Sequence, residues 1–393
     1  MIAVQSQTIP TADQLAQTQA AIDAYIRRID QSPYRREGAY PYYRFHPAGQ
    51  PIRGTVMLFH GFSAKPHQMW RLTEYLFQNG FNVYQPSIAG HPFVPPTTQW
   101  PQVDLRLEYA EPLRQKVQQD PVLQTFFANL AANPDGFSKP SYHQRLALIA
   151  RLMAIEPKLP DIIRAIEKTD DPDFDRYFIS SHLRYRQDAV ERLQELDALP
   201  GPIFTVGLSV GGAVALGLAA ARPDRIDKVV AYAPLLKIFG EDRRLYVNLA
   251  GPLDISESGW DPSLRFPVGC LTAADRFGSD YVLDRQSVST LSQIPTCLIL
   301  TENEDAADIE TNQDFFKRLG GDRQGHRFFM YPAQDMVPHP MVDPTEVSQG
   351  MSNRFWQSLY QETFRFLTEG EISPENLESL SPSPDLPPVP PVA

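Results

Sequence analysis

The sequence predicts an α/β protein whose central sheet is mostly parallel, flanked by helices on both faces and interrupted by a large helical insertion. Two observations support this. Short apolar runs rich in β-branched or aromatic residues alternate with helical patterns, which is typical of a parallel sheet covered on both faces. These runs are YYRFH (42–46), GTVMLFH (54–60), FNVYQPS (81–87), PIFTVG (202–207), KVVAYAPL (228–235), TCLILT (296–301) and RFFMYP (327–332). Two long segments without this alternation separate some of the runs.

The composition limits the classes of partner. The chain has 393 residues, of which 42% are hydrophobic and 21% charged, enough for a sizeable core. Its net charge of −11 disfavours a nucleic-acid partner and electrostatic attachment to anionic lipid, since both rely on a basic surface. Only Cys270 and Cys297 are present, which favours a reducing, cytoplasmic location over a disulfide-rich secreted one.

The chain also lacks the usual targeting patterns. The first residues, MIAVQSQTIPTADQ, contain no basic region followed by an apolar one, so we expect no signal peptide. No stretch reaches the roughly 18 apolar residues of a membrane-spanning helix. We therefore expect no transmembrane segment, and leave peripheral membrane contact open.

The remaining elements follow in chain order. Residues 11–30 predict an amphipathic helix in which Thr11 and Gln14 have the spacing of a capping box. A second helix ends before Gly80. The sequence SNRFWQSLYQETFRFLTEG (352–370) predicts a helix packed on the core, and the proline-rich end predicts disorder or polyproline II.

The predicted units are an N-terminal helical extension (1–37), a core (38–92 and 186–370), a helical cap (93–185), a second cap element (about 236–293) and a disordered tail (371–393).

The cap assignment depends on helical periodicity. In SYHQRLALIARLMAIE, Leu146, Ile149, Leu152 and Met153 recur at helical spacing, and we find no convincing strand in this insertion. An apolar cap could cover an acyl pocket or touch a bilayer interface. The alternative is that both insertions are extra packing layers without a role in substrate binding.

The main chemical motif is the segment GLSVG (207–211), which fits the G-x-S-x-G pattern of a nucleophile. It joins a predicted strand to a helix of small residues, so Ser209 would stand on a tight turn with its hydroxyl projecting from the sheet. The helix N-terminus would face developing negative charge. A structural serine in a glycine-rich turn is the alternative. A phosphate-binding loop is disfavoured because the terminal Lys-Ser/Thr is missing.

An oxyanion site requires two backbone N–H groups near this serine. One would come from Val210, directly after the nucleophile, and the other from the loop that follows an earlier strand. His60, Gly61 and Phe62 directly follow the GTVMLF strand, and Phe62 N–H is the candidate donor. We interpret His60 as a residue that organises the loop rather than as a general base.

These motifs together resemble the α/β-hydrolase superfamily. The segments LFHGFSAKPHQMWRLTEYLFQNGFNVYQPSIAGH and VGLSVGG are similar to the bacterial carboxylesterase and monoacylglycerol-lipase-like branch, with its H-G-F-[ST] loop and G-L-S-x-G-G turn. The resemblance implies an α/β-hydrolase fold with a large helical cap insertion. It also implies a serine hydrolase whose substrate pocket lies near His60, Gly61, Ser63 and His91.

The resemblance further implies a triad in the order serine, acid, histidine. In TENEDAADIETN, the position of the family acid falls on Asp305, with Asp308 as an alternative that could instead begin a helix. Glu302 and Glu304 are expected to face solvent. His339 lies between two prolines after the last strand and is the expected base, whereas His326 precedes that strand and lies at the wrong edge of the sheet.

The predicted function is hydrolysis of carboxylic esters, with lipid-like acyl esters as the favoured class. Thioesterase, acyltransferase and amide hydrolase activities on the same fold remain alternatives, as does a non-catalytic binding protein. We expect no cofactor and no metal, because the sequence contains neither His-Glu-x-x-His nor a Cys-x-x-Cys pair.

Overall fold

The computed structural model describes residues 8–125, 141–167, 172–238, 254–255, 264 and 266–390. Its central sheet has seven strands in the order β1-β3-β2-β6-β7-β10-β11. β1 is antiparallel to β3, and the other neighbouring pairs are parallel. The predicted fold class is therefore confirmed, because each predicted apolar run contributes one strand. All strands, including two short pairs outside this sheet, are β1 Tyr42–Arg44, β2 Thr55–Phe59, β3 Asn82–Gln85, β4 Val103–Leu105, β5 Phe178–Ser180, β6 Ile203–Leu208, β7 Ile226–Tyr232, β8 Asp254–Ile255, β9 Phe266–Pro267, β10 Thr296–Thr301 and β11 Arg327–Tyr331.

Helices cover both faces of the sheet. None of those in the described part of the chain is long and apolar enough to cross a bilayer. The helices are α1 Ala12–Asp30, α2 Trp70–Gln78, α3 Pro96–Gln99, α4 Leu107–Gln118, α5 Tyr142–Ile155, α6 Leu159–Glu167, α7 Phe174–Tyr177, α8 Arg184–Gln194, α9 Val210–Ala221, α10 Val268–Arg276, α11 Arg285–Leu291, α12 Ile309–Leu319, α13 Trp356–Glu369 and α14 Pro374–Leu377.

The core consists of two apolar layers, one on each face of the sheet. Side chains alternate along β2, so Val56 and Leu58 join the layer beneath α2 and α13. Met57 and Phe59 point to the opposite face and join the layer beneath α1 and α9. This two-sided burial explains why the strands read as continuous apolar runs.

The N-terminal helix begins as predicted. The Thr11 side chain accepts from Gln14 N–H, and the Gln14 side chain accepts from Thr11 N–H, which completes the capping box. The helix then docks on α8, where the Arg192 guanidinium lies 3.8 Å from the centre of the Tyr25 ring. The first helix is thus fixed to the core by a buried cation–π contact.

The first insertion (93–185) forms an apolar cluster of its own. Its packed side chains differ from those that the helical periodicity predicted. β4 and β5 pair antiparallel within it, although we predicted no strand there. In α5 the buried side chains are Leu148 and Leu152, while Leu146 and Met153 are 48% and 42% exposed. The predicted stripe was therefore partly wrong, because apolar residues occur on more than one face of α5 and spacing alone does not identify the packed face.

Residues of the second insertion (about 236–293) pack in two different apolar clusters. Val268 and Ala273 of α10 join the apolar cluster of the first insertion. Phe277 and Leu291 pack instead in the main core. The Phe277 ring lies so close to α9 that a Cβ added at Gly217 would stand 2.6 Å from it. The assignment of the whole segment 236–293 to a cap is thus wrong for its C-terminal part, while residues 239–253, 256–263 and 265 lie outside the described residues.

The tail, for which we predicted disorder or polyproline II, contacts the folded core. Gln361 on α13 accepts from Ser383 N–H and donates to the carbonyls of Ser383 and Pro387. The Tyr75 hydroxyl on α2 also donates to Pro387 O, at 3.2 Å. Proline disfavours the interior of helices and strands, so α14 has its proline at the first position, while the carbonyls of the extended chain that follows remain available to side-chain donors.

Candidate active site

Ser209 lies on the turn between β6 and α9, in a backbone conformation that non-glycine residues rarely adopt. Its φ and ψ are 57° and −120°. The glycines of the motif allow this turn through close packing. A Cβ at Gly207 would stand 2.1 Å from the Gly211 carbonyl oxygen, and a Cβ at Gly211 would stand 2.2 Å from the Phe59 carbonyl oxygen. Residues with larger side chains are thus excluded at both positions.

The strained turn is attached to the sheet on both sides. Ser209 N–H donates to the Tyr232 carbonyl at 2.9 Å, and the Ser209 carbonyl accepts from Leu235 N–H and Ala213 N–H. α9 begins at Val210, so the predicted oxyanion donor directly after the nucleophile is the first residue of this helix. The serine therefore faces the end of a helix whose first N–H groups have no intrahelical partner.

His339 follows β11 and contacts a glutamate that follows β10. His339 Nδ1 lies 2.5 Å from Glu304 Oε1, although the ring N–H does not point straight at that oxygen. The same oxygen accepts from the N–H groups of Ala306 and Ala307, at 3.0 and 2.9 Å. The Glu304 side chain is only 2% exposed. These bonds fix the carboxylate in the position of a group that orients the imidazole.

This arrangement corrects the predicted acid. Asp305 is exposed, and its carboxylate accepts from Ser348 Oγ and Gln349 Nε2 rather than from His339. Glu304 was expected to face solvent and is instead buried against the imidazole. Consecutive residues leaving a strand point in different directions, and motif spacing did not resolve a difference of one residue.

The other ionisable residues considered near β10 and β11 are Asp308, His326 and Glu302. Asp308 is the N-cap of α12 and accepts from Thr311 N–H at 2.8 Å. His326 is buried at the start of β10, where its Nδ1 accepts from Thr296 N–H at 3.2 Å. Glu302 accepts from Ala333 N–H at 2.8 Å. Each of these side chains therefore satisfies a backbone N–H group.

The electrostatic surroundings keep His339 basic. Burial by itself lowers the pKa of the imidazole, but the negative charges of Glu304, Asp305 and Glu346 outweigh it and raise the pKa above its ordinary value. An imidazole with a raised pKa is a stronger base in its neutral form. It is also protonated at a higher pH than an ordinary histidine.

The predicted oxyanion loop lies directly against the nucleophile. A Cβ placed on Gly61 would be 3.6 Å from Ser209 Cβ. His60 is fully buried; its Nε2 accepts from Ile88 N–H, which leaves the Nδ1 hydrogen to the Gly61 carbonyl at 2.9 Å. Burial lowers the pKa of His60 to about 3, so the ring is neutral. His60 thus organises the loop, as predicted.

Ser63 and His91 also support this loop from within the protein. Ser63 adopts a φ of 59°, and its carbonyl accepts from Arg36 Nη2 at 2.6 Å. His91 is fully buried and stacks on Trp100 with ring centres 3.7 Å apart. The Phe62 ring packs edge-on against both of these rings. We expected His60 and His91 to line the substrate pocket, but protein groups enclose both rings.

Both insertions reach the same loop. Phe62 packs against an apolar cluster that contains Trp100 from the first insertion and Leu264 and Cys270 from the second. The side chain of Phe62, whose N–H is the predicted oxyanion donor, is therefore covered by apolar groups from both insertions.

Two functional candidates were missed by the sequence analysis. Gln68 Oε1 accepts from Gly61 N–H at 2.7 Å, and Gln68 Nε2 donates to both carboxylate oxygens of Glu346 at 3.0 Å. Glu346 lies 278 residues from Gln68 in the chain. No local motif marks either residue, and only the tertiary fold brings them together.

One group of side chains has donors close enough for a metal ion. Within the described part of the chain, Glu304, Asp305 and His339 each place one potential ligand atom within 4.8 Å of the others. Glu304 and His339 are also in contact with each other through Oε1 and Nδ1.

Comparisons with protein-family models and with curated proteins give no match. Several solved structures are similar to this chain. Monoglyceride lipase of Saccharomyces cerevisiae is 13% identical with a TM-score of 0.49, covering 87% of this chain and 98% of its own. Monoacylglycerol lipase of Paleococcus ferrophilus is 14% identical with a TM-score of 0.44, covering 84% and 99%. A thioesterase domain from the curacin biosynthetic pathway is 13% identical with a TM-score of 0.34, covering 73% and 85%. Similarities at this level carry no information about the substrate.

Proposed function

We propose that this protein is a serine hydrolase that cleaves carboxylic esters through an acyl-enzyme intermediate. The observation that carries the proposal is that three groups follow the carboxyl ends of parallel strands at one edge of the sheet. Ser209 follows β6 on a strained turn, Gly61 follows β2 and packs against it, and the contact between His339 and Glu304 joins the loops after β11 and β10. The carboxyl ends of parallel strands meet at this edge, where α/β proteins place their ligands.

The proposed mechanism assigns a proton or a charge to each group. His339 removes the hydroxyl proton as Ser209 attacks the ester carbonyl, and Glu304 stabilises the imidazolium cation. The N–H groups of Phe62 and Val210 stabilise the oxyanion. The imidazolium then protonates the leaving alcohol. In the second half, His339 takes a proton from the attacking water and returns it to Ser209 Oγ as the acyl group leaves as a carboxylic acid.

The proposed substrates are lipid-like acyl esters. The support is the apolar cluster that packs on Phe62 and includes Trp100, Leu264 and Cys270. An apolar environment next to the reacting carbonyl favours an acyl chain over a polar one through burial of its surface. A hydrolysis profile over p-nitrophenyl esters of increasing acyl length, with Ser209→Ala as the blank, tests this class. Activity restricted to acetyl esters would contradict it.

Labelling with a fluorophosphonate probe tests the nucleophile. The wild-type protein should be labelled and should hydrolyse short p-nitrophenyl esters, whereas Ser209→Ala should lose labelling and at least about 10⁴-fold in kcat. Ser287→Ala is the matched control, because Ser287 is also buried but lies on α11, in the C-terminal part of the second insertion, which packs in the main core. Equal labelling of wild type and Ser209→Ala would refute the proposal.

A further inference from the structure

We infer that Glu346 is a positioning residue that holds the oxyanion loop in place through Gln68. The inference rests on the proposed function, because it assigns a purpose to the geometry of that loop. Glu346 belongs to none of the motifs that predict the site. It lies in the segment between His339 and α13.

Gln68 connects the two groups in a fixed direction. Its carboxamide has one acceptor oxygen and one donor nitrogen. The nitrogen donates to both oxygens of Glu346, at 3.0 Å each, so the oxygen must turn toward Gly61 N–H, which donates to it at 2.7 Å. A carboxylate can only accept from Gln68, and Gly61 N–H can only donate to it. The acceptor oxygens of Glu346 thus determine which end of the amide meets the loop.

The two peptide groups that flank Gly61 are each fixed by a side chain, and the second of them carries the proposed donor, Phe62 N–H. Gln68 holds Gly61 N–H, and His60 Nδ1 donates to the Gly61 carbonyl at 2.9 Å. A trans peptide directs its N–H opposite to its carbonyl, so fixing the Gly61 carbonyl also fixes Phe62 N–H. Since Gly61 packs against Ser209, small rotations of this peptide move the proposed oxyanion donor relative to the nucleophile.

The charge on Glu346 also acts on the imidazole. Burial, together with the neighbouring Asp343, raises the pKa of Glu346 to about 7, while Gln68 and His339 oppose the rise. Asp343 itself is paired with Arg71 on α2, at 3.3 Å. In turn, the negative charge of Glu346 contributes to the raised pKa of His339. Removal of that charge should therefore lower the pKa of His339 and extend activity to lower pH.

Two variants of Glu346 separate these effects. Glu346→Ala removes the acceptor for Gln68 and should lower kcat about tenfold with little change in KM, because oxyanion contacts act mainly in the transition state. Glu346→Gln keeps one acceptor oxygen and should recover most of this loss. Both variants should shift the acidic limb of the pH profile to lower pH. Rates are normalised to the fraction of active enzyme by fluorophosphonate titration.

A double-mutant cycle shows whether the effect passes through Gln68. The Gln68→Ala variant should lose kcat to a similar extent, and adding Glu346→Ala to it should cost no more than about twofold further. Unchanged kcat in Glu346→Ala, or fully additive losses in the double variant, would overturn the inference. Asp343→Asn is the control for a disturbed segment, since Asp343 contacts Arg71 and Thr345 but not Gln68.

Hydrogen exchange tests the same inference without catalysis. Amide exchange of the segment 58–64 should be faster in Glu346→Ala and Gln68→Ala than in wild type, and unchanged in Asp343→Asn. Unchanged exchange in Glu346→Ala would overturn the positioning role even if the protein hydrolyses esters. Absence of labelling and hydrolysis in wild type would instead refute the proposed function, so the two failures are distinguishable.

Discussion

At the scale of single residues, Glu304 differs from its acidic neighbours in what fixes its carboxylate. Its Oε1 atom accepts from two consecutive backbone N–H groups, of Ala306 and Ala307, and contacts His339 Nδ1. The loops that carry these groups are tied together, because Thr301 Oγ1 donates to the Val337 carbonyl at 2.6 Å. A carboxylate held in this way needs little reorganisation when the imidazole becomes charged.

We therefore expect Glu304→Gln to lower kcat by about 10³- to 10⁴-fold, because a glutamine amide can donate to Nδ1 and so stabilise the tautomer whose Nε2 cannot accept the Ser209 proton. The adjacent Asp305→Asn is the matched control. It should leave kcat within about threefold of wild type, since Asp305 bonds Ser348 and Gln349. Steady-state hydrolysis of a p-nitrophenyl ester measures both. The opposite ranking of the two variants would restore Asp305 as the acid.

The sequence predicted the turn that carries Ser209 and the loop that carries His339, but it placed the acid at Asp305, whereas Glu304 contacts His339. Ser209 is marked by glycines whose positions the packing itself demands, and His339 is the histidine that follows the last strand. Glu304 is one of four acids within seven residues, and its role depends on the direction of one side chain. Gln68 and Glu346 could not be predicted, because their contact arises only in the folded chain.

At the scale of elements, the turn between β6 and α9 depends on glycines for different reasons. A Cβ at Gly211 would clash with the carbonyl oxygens of Phe59 and His60, at 2.2 and 2.4 Å. A Cβ at Gly212 would meet Pro234 at 3.0 Å, a contact that a small shift can relieve. The close approach of α9 to β2 is what sets Ser209 beside the oxyanion loop.

Gly211→Ala should consequently lower the free energy of unfolding by about 3 kcal/mol or more, and Gly212→Ala by about 1 kcal/mol, because an added Cβ would stand 2.2 Å from a carbonyl oxygen at Gly211 but no closer than 3.0 Å to any atom at Gly212. Urea denaturation followed by circular dichroism measures both values. Gly211→Ala should also lose ester hydrolysis in its remaining folded fraction. Equal destabilisation by the two substitutions would contradict this prediction, since it would show that the backbone at the end of β2 shifts to make room for a Cβ at Gly211.

Element prediction was most successful where burial is two-sided. Strands such as β6 and β10 are buried along their whole length and were recognised from continuous apolar runs. Prediction failed in the insertions, where α5 exposes Leu146 and Met153 and where β4 and β5 form a pair of only three residues each. Short strands and helices with more than one apolar face leave periodicity ambiguous.

At the scale of the whole molecule, the C-terminal tail closes one face of the core. Leu386 and Val389 pack against the apolar layer that α2 and α13 cover. Gln361 binds the tail backbone at Ser383 and Pro387. The backbone polar groups of the tail and its apolar side chains both bind it to this face. The amino-acid composition of the tail does not predict these backbone contacts.

A chain that ends at Leu380 should be less stable but equally active. The loss of two partly buried side chains, at about 1 kcal/mol each, and of several hydrogen bonds should lower the free energy of unfolding by about 2–4 kcal/mol. kcat of the folded protein should not change, since none of the tail contacts involves Ser209, His339 or Glu304 among the described bonds. Asp385→Ala is the control, because Asp385 is exposed and its removal should alter neither quantity. An unchanged urea midpoint after truncation would mean that the tail contacts contribute no net stability.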